Sequence, residues 1–474
     1  MISNVKKKFN LTLPAKATVF YTLTGAAERG ISFIFTPIYT RILTPEEYGL
    51  YPLYVSWMGI ATVIVTFELC GSTLYRGLAN ARGREDEFIS SAMGLFLSIS
   101  FVSSILILLT RDTVSALTGL STDMLSLLLL QTVINGVIGI YFAKCRFTYK
   151  YKTASLINLA SAVVTPALAL AVIRLTSYRA EARIIAPLLF GCAIALPILV
   201  SIFRKGRRFF DTGVWKNQIF TVLPLLPHFL ATTVSVNSGK LAIARFFGED
   251  ALAKYSLVFS FGFIFTVITV GINSGLTPWI NRKLSHGVEV KVGKLCDELF
   301  SLFSVLAIIT IVFVPEGLSI LAPDEYLEAL IAVYPLTLSV IISFLTAIFH
   351  SITVFYGKGH LITLGSVATA LLTVLLHATV TRRLGYLGAG LVAAATGLLS
   401  LLVYAVILGG VLKKRIFSFK KISAALLLSA FFACLLYTLR ESILSRTVLL
   451  LALLLILIPK ALDCYRLARE NGNG

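Results

Sequence analysis

RILTPEEYGLYPLYVSWMGIATVIVTFELCGST, residues 41–73, returns 204 positions later as RFFGEDALAKYSLVFSFGFIFTVITVGINSGLT, residues 245–277. The shift lays Arg41 on Arg245, Tyr51 on Tyr255, Leu53 on Leu257, Ser56 on Ser260, Ile60 on Ile264, Gly71 on Gly275 and Thr73 on Thr277. Every pair lies in or beside a long apolar segment. Two copies of a membrane unit joined head to tail are the usual construction of a secondary transporter, whose substrate path runs between the copies.

Working outward, 57% of the 474 residues are hydrophobic and 14% are charged, against about 25% charged in an ordinary soluble domain. A bilayer core about 30 Å thick needs about 20 apolar residues per helix. Segments of that length fall near 17–42, 48–70, 88–110, 123–143, 153–174, 184–203, 217–247, 253–280, 295–322, 328–356, 360–380, 386–412, 422–439 and 446–462, so an all-α integral membrane protein of fourteen spans is expected.

The net charge of +19 would point to nucleic acid in a soluble chain, but its placement points to topology. Basic residues gather in alternate loops: Lys6–Lys8; Arg76, Arg82 and Arg84; Lys144–Lys152; Arg204–Arg208; Arg282–Lys294; and Lys413–Lys421. The intervening loops carry Glu46 and Glu47, Glu249 and Asp250, or Asp324, Glu325 and Glu328. By the positive-inside rule both termini are cytoplasmic. The first span is interrupted by Glu28 and Arg29 and outruns a signal-peptide core, so it is expected to stay in the chain. Six cysteines show no metal-ligand spacing and none lies in an outer loop, so neither a zinc site nor a disulfide framework is expected.

The repeat superposes spans one to six on spans seven to twelve. Each copy has six spans, so both enter the membrane in the same direction, a parallel repeat. The expected division is an N-terminal six-helix lobe, 1–210, a C-terminal six-helix lobe, 211–412, and an accessory helix pair with a cytoplasmic tail, 413–474. Pro166, Pro197, Pro224, Pro227 and Pro335 fall inside spans, where each removes a hydrogen bond and bends the helix.

Arg29 lies near the middle of the first span, where a charge costs about 2.5–3.5 kcal/mol on insertion scales. Thr22, Gly25, Ser32, Thr36 and Thr40 share its face, and Leu23, Ala27, Ile31, Ile34 and Ile38 line the opposite one. Two uses are open: a lumen-facing cation, or an internal pair with Glu68, Glu28 being poorly placed because adjacent helical residues diverge by about 100°. The equivalent helix of the second copy carries Lys240, either lumenal or snorkelling to the interface. Arg41 and Arg245 complete the cationic set; as a repeated pair at outer helix ends they also suit interface anchors, beside Glu46, Glu47, Glu249 or Asp250.

Cationic groups on the leading helix of each copy suit a diphosphate, since arginine forks onto phosphate oxygens and lysine acts as a point charge. A cation exporter needs acid instead, and Glu28 and Glu68 supply that alternative. Of five scattered histidines, His228 is the candidate for proton handling and the others read as structural. Tyr39, Tyr48, Tyr51 and Tyr54 cluster as interfacial anchors do, with contact to sugar rings as a second use. No phosphate-binding loop, nucleophile elbow or paired-carboxylate motif occurs, so ATP hydrolysis and enzymatic chemistry generally are not expected.

Pro37–Tyr51, PIYTRILTPEEYGLY, resembles the start of the polysaccharide transporters, the oligosaccharide flippases of the multidrug, oligosaccharidyl-lipid and polysaccharide exporter superfamily. The resemblance implies a flippase that moves undecaprenyl-diphosphate-linked sugar repeats across the bacterial cytoplasmic membrane for O-antigen, lipopolysaccharide, capsule or exopolysaccharide assembly. It also implies alternating access through a cationic lumen, no cofactor, and polymerase and chain-length proteins as further partners. A multidrug/cation antiporter of the same superfamily is the competing function. A membrane polymerase on lipid-linked sugars ranks third, because all expected outer loops are short.

Overall fold

A computed structural model describes residues 13–357, 359–414, 416–440 and 442–472. Lys6, Lys7, Lys8 and Arg415 of the basic loops lie outside the described residues. Every regular element among the described residues is helical, in keeping with a bilayer that lets only internally hydrogen-bonded segments cross. The α-helices are α1 Leu13–Ile42, α2 Pro45–Thr66, α3 Ser72–Asn80, α4 Glu85–Leu109, α5 Arg111–Thr118, α6 Thr122–Phe147, α7 Tyr151–Leu175, α8 Ala182–Gly206 and α9 Thr212–Val222. They continue as α10 Leu226–Ser285, α11 Glu289–Leu321, α12 Val333–Phe355, α13 Gly359–Leu376, α14 Arg382–Val406, α15 Phe419–Thr438 and α16 Ile443–Gly472.

Eleven helical stretches among the described residues are long and apolar enough to cross a membrane. The fourteen expected spans are not matched one for one. Stretches 212–262 and 359–411 each hold two helices that meet at a non-helical glycine, Gly248 and Gly385, at junctions expected as loops, and Leu13–Ile42 falls outside the eleven. Gly248 turns the chain with φ 88°, which a glycine adopts without the Cβ penalty.

Local chemistry explains where helices begin. Thr44 and Glu47 form a reciprocal capping box at α2: Thr44 N donates to Glu47 Oε2 at 3.0 Å and Glu47 N to Thr44 Oγ1 at 3.2 Å. Ser121 caps α6 by accepting from Met124 N at 3.3 Å. Glu85, Asp86 and Glu87 open α4, and Arg204 and Lys205 close α8, each set suiting the helix dipole. Pro224 and Pro227 sit where α9 passes through a 3₁₀ turn, Leu223–Leu225, into α10.

Two compact units result. One holds residues up to Leu43 and Leu53–Thr233; the other holds Thr44–Pro52 and the chain from Val234. The first unit runs on to Thr233, and within it α9 docks on α4: Trp215 Nε1 donates to Ser91 O at 3.0 Å. Gln218 lies against Gly77 of α3. In this first unit Leu74, Leu78, Ile89, Met93, Phe96, Val137 and Ile140 form a buried core among α3, α4 and α6.

In the second unit α12 packs on α14, and α11 on both α15 and α16. The last two helices thus pack against α11 of that unit. Arg446 of α16, 6% exposed, reaches Glu316 of α11 through both guanidinium nitrogens, at 3.0 and 2.6 Å, and donates to Val312 O at 2.8 Å. Thr44–Pro52 joins this unit through Tyr48, whose ring meets Tyr326 edge-on at 6.1 Å.

The two copies of the repeat do not fold alike. Phe67 and Glu68 take left-handed φ values of 51° and 52°, breaking the first copy between α2 and α3 inside the expected 48–70 span. The matching positions, Gly271 and Ile272, lie within the continuous α10.

Candidate functional site

The expected site residues separate into two clusters, one in each unit. In the first unit α1 packs against α7. Tyr39 Oη donates to Pro166 O at 2.8 Å, Phe20 meets Tyr151 at 5.1 Å, and Glu28 accepts from the Asn158 side chain. Glu28 therefore sits on the packed face, and its Oε1 is buried with no hydrogen-bond partner among the described residues. Arg29, half-buried, follows one step round the helix, and the Glu28 carboxylate is its electrostatic neighbour. The apolar stripe opposite Arg29 is open, with Leu23 64% and Ile34 66% exposed.

The outer end of this cluster holds cations that sequence reasoning missed. The Arg183 guanidinium lies over the Tyr39 ring at 4.9 Å, and Arg179 donates to Ile42 O, the end of α1, at 2.6 Å. At the other end Arg146 stands 5.8 Å from the centre of the Tyr21 ring. Nothing in the linear pattern marks Arg179 and Arg183, which α8 and the turn before it bring to α1 from more than 100 residues away, whereas Arg146, at the end of α6, belongs to a basic stretch already visible in the sequence. Tyr39, Tyr48 and Tyr54 are buried, not interfacial. Their hydroxyl-bearing rings fill the cores, as in the 2.9 Å bond from Tyr54 Oη to Gln131 Oε1.

Lys240 is the centre of the second cluster. Its ammonium lies 4.4 Å from the centre of the Phe259 ring, on the far side of the Gly248 turn. Among the described residues it makes no ion pair and no hydrogen bond. Snorkelling is therefore not needed to hold the charge, since an aromatic face attracts a cation by its quadrupole. Tyr255 Oη and His377 approach the backbone at Gly239, to 3.1 and 3.5 Å of where a Cβ would stand. His377 is buried, with Nδ1 2.8 Å from Thr381 Oγ1, inside a π turn, His377–Thr381. Wide turns of this kind are enriched at functional sites. The sequence gives His377 no distinguishing neighbour, whereas Tyr255 belongs to the repeat.

The remaining candidates lie elsewhere. Glu68 is half-buried at the α2–α3 break, its side chain against Gly71. Arg41 Nη1 donates to Pro37 O at 3.0 Å, on the last turn of its own helix, and Arg245 is exposed. Asp250 pairs with Lys254 at 3.1 Å, and Lys254 also holds Glu328 at 2.7 Å. His228 belongs with the first unit, beside Phe229. Among the described residues no three His, Cys, Asp or Glu side chains gather as a metal would need.

Residues 15–283 match the family described as polysaccharide biosynthesis protein. A curated relative, "Probable multidrug resistance protein YoeA" of Bacillus subtilis (strain 168), is 28% identical over 151 residues, 31% of this chain. The chain spans about a third of that relative's length, 33%. Among solved structures, "Lipid II flippase MurJ, inward closed conformation" superposes with a TM-score of 0.69 at 13% identity, over 94% of this chain and 99% of that one. A multidrug resistance MATE family transporter of the MOP superfamily, inward-facing, gives 0.60 at 13% identity, over 82% and 96%. A MOP superfamily transporter from Pyrococcus furiosus gives 0.58 at 14% identity, over 87% and 96%. At such identities the likeness is one of fold.

Proposed function

Because this chain belongs to the polysaccharide biosynthesis protein family, we propose that it is a flippase for polyprenyl-diphosphate-linked oligosaccharides in the bacterial cytoplasmic membrane. The repeats supplied would serve O-antigen, capsule or exopolysaccharide assembly, with polymerase and chain-length proteins downstream. The lobes 1–210 and 211–412 work by alternating access, the pair 413–474 is accessory, and both termini are cytoplasmic. Arg29 and Lys240 meet the diphosphate, and Arg41 and Arg245 serve its outer exit.

The observation that carries this is Lys240, a charge deep in a helix with a ring for company and no carboxylate. A lysine kept without a counter-ion suits an anionic ligand that arrives and leaves. With the cytoplasm negative, moving two negative charges outward gains about 4–5 kcal/mol at 100 mV. Ion coupling then adds direction without being required. The test is surface polysaccharide in cells whose own flippase gene is deleted. Arg29→Ala and Lys240→Ala should each abolish it at unchanged protein abundance; full polysaccharide from both variants would refute the assignment.

A second function, cation-coupled multidrug efflux, is favoured by one observation: Glu28 keeps a buried oxygen without a partner, as a proton- or cation-binding carboxylate requires. The curated relative named for multidrug resistance agrees with it. Overexpression would then raise drug tolerance, and Glu28→Gln would remove the gain.

A further inference from the structure

The second unit contains a groove that the transport chemistry leaves unused. It lies among α11, α15 and α16 as an open groove with a cavity volume of about 260 Å³. Its walls are apolar, formed by Val305, Ile308, Leu428, Phe432, Leu453 and Ile456. Ser304 and Ser429 also line it, but each hydroxyl turns back on its own helix, at 2.8 Å to Phe300 O and 2.7 Å to Ala425 O. Those hydroxyls present little polarity to the space.

One end is different. Lys421, at the start of α15, and Lys460, on α16, both line the groove. Glu298 holds them together, Lys421 on Oε1 and Lys460 on Oε2, each at 3.0 Å. A single carboxylate thus fixes the spacing of two ammonium groups. Each ammonium has three donors and spends one on Glu298, leaving two directed elsewhere. Neither lysine is sealed away: their side chains are 54% and 36% exposed. The neighbouring loop carries Lys413 and Lys414, and α15 itself Lys420.

We infer that this groove is a binding site for one anionic glycerophospholipid of the cytoplasmic leaflet. Its phosphodiester takes the donors that Lys421 and Lys460 turn away from Glu298, and its acyl chains lie along the apolar walls. The match is of shape and charge together: a fatty slot several side chains long, ending in paired cations on the side marked cytoplasmic by the basic loops. Basic pockets between membrane helices on that side suit anionic head groups. A zwitterionic lipid brings a cation of its own and gains less from the pair. The inference is independent of what the transporter carries.

Native mass spectrometry of the full-length protein, released from detergent and offered phosphatidylglycerol, phosphatidylethanolamine or undecaprenyl phosphate at equal concentration, tests it. Phosphatidylglycerol should be retained preferentially. Lys421→Gln with Lys460→Gln should weaken it about tenfold or more, as about 1 kcal/mol per surface lysine implies, while Lys421→Arg with Lys460→Arg keeps it. Ala424→Trp, which puts a bulky ring into the groove from an exposed position and leaves both cations, should also displace it. Equal retention of phosphatidylethanolamine, preference for undecaprenyl phosphate, or unchanged binding by both the double glutamine and the tryptophan variant would each overturn the site. Because the readout is bound lipid, failure here leaves the flippase proposal standing, and loss of flux in the other variants leaves this one standing.

Discussion

The ammonium of Lys240 and the ring of Phe259 face one another at 4.4 Å across the turn that Gly248 makes in α10. The ring attracts the charge without consuming any of its three hydrogen-bond donors, so the lysine stays available to phosphate oxygens. Replacing Phe259 by leucine should remove about 0.5–2 kcal/mol of that attraction and reduce oligosaccharide flux modestly. Lys240→Gln should reduce it about tenfold to a hundredfold. Flux measured in proteoliposomes with a fluorescent polyprenyl-diphosphate sugar decides the matter, and equal loss from both variants would assign Lys240 a packing role.

Glu28 and Arg29 are adjacent in sequence but engaged differently, Glu28 with Asn158 of α7 and Arg29 one step round. Glu28→Gln preserves an acceptor for Asn158 and removes a buried charge. Purified Glu28→Gln should melt no lower than the parent and should retain polysaccharide export. Collapse of export by this variant alone would instead make Glu28 a coupling residue of oligosaccharide transport.

Gly49 lies against the backbone of Glu249 within the second unit; a Cβ there would stand 2.0 Å from the Glu249 carbonyl oxygen. Backbone cannot give as a flexible side chain does, so Gly49→Ala should cost about 1–3 kcal/mol, typical of overpacking. Thermal unfolding in detergent reads the loss, and an unchanged midpoint would show that the two segments separate freely.

Asp211 caps α9. The Val214 N–H, 3.0 Å away, is the main influence holding its carboxyl below the usual aspartate range, helped by Arg208 at 3.1 Å. A carboxyl depressed by folding stabilises the folded form above its unfolded pKa, about 3.9, and that contribution is lost as pH falls through the lower folded value. Asp211→Ala should therefore cost about 1 kcal/mol at neutral pH and much less at strongly acid pH. A pH-independent difference in melting between the two proteins would contradict the cap.

Sequence alone determined the class of molecule. Apolar length set the helices, since a bilayer admits only helices or closed barrels and runs of about 20 apolar residues fit the helix, and the 204-residue shift exposed the duplication before any coordinates. It also placed Arg29 and Lys240 deep in their helices, because a charge in a long apolar run is costly enough to be conspicuous. Tertiary structure decided what those charges meet. Phe259 beside Lys240, Asn158 beside Glu28, Arg183 over Tyr39 and the lysine pair on Glu298 join residues that no periodicity relates. The tyrosines near residue 50 show the same limit, reading as membrane anchors in one dimension and filling cores in three. So does the broken first copy beside its unbroken twin: side-chain pattern selects helix, whereas packing partners settle where a helix must stop.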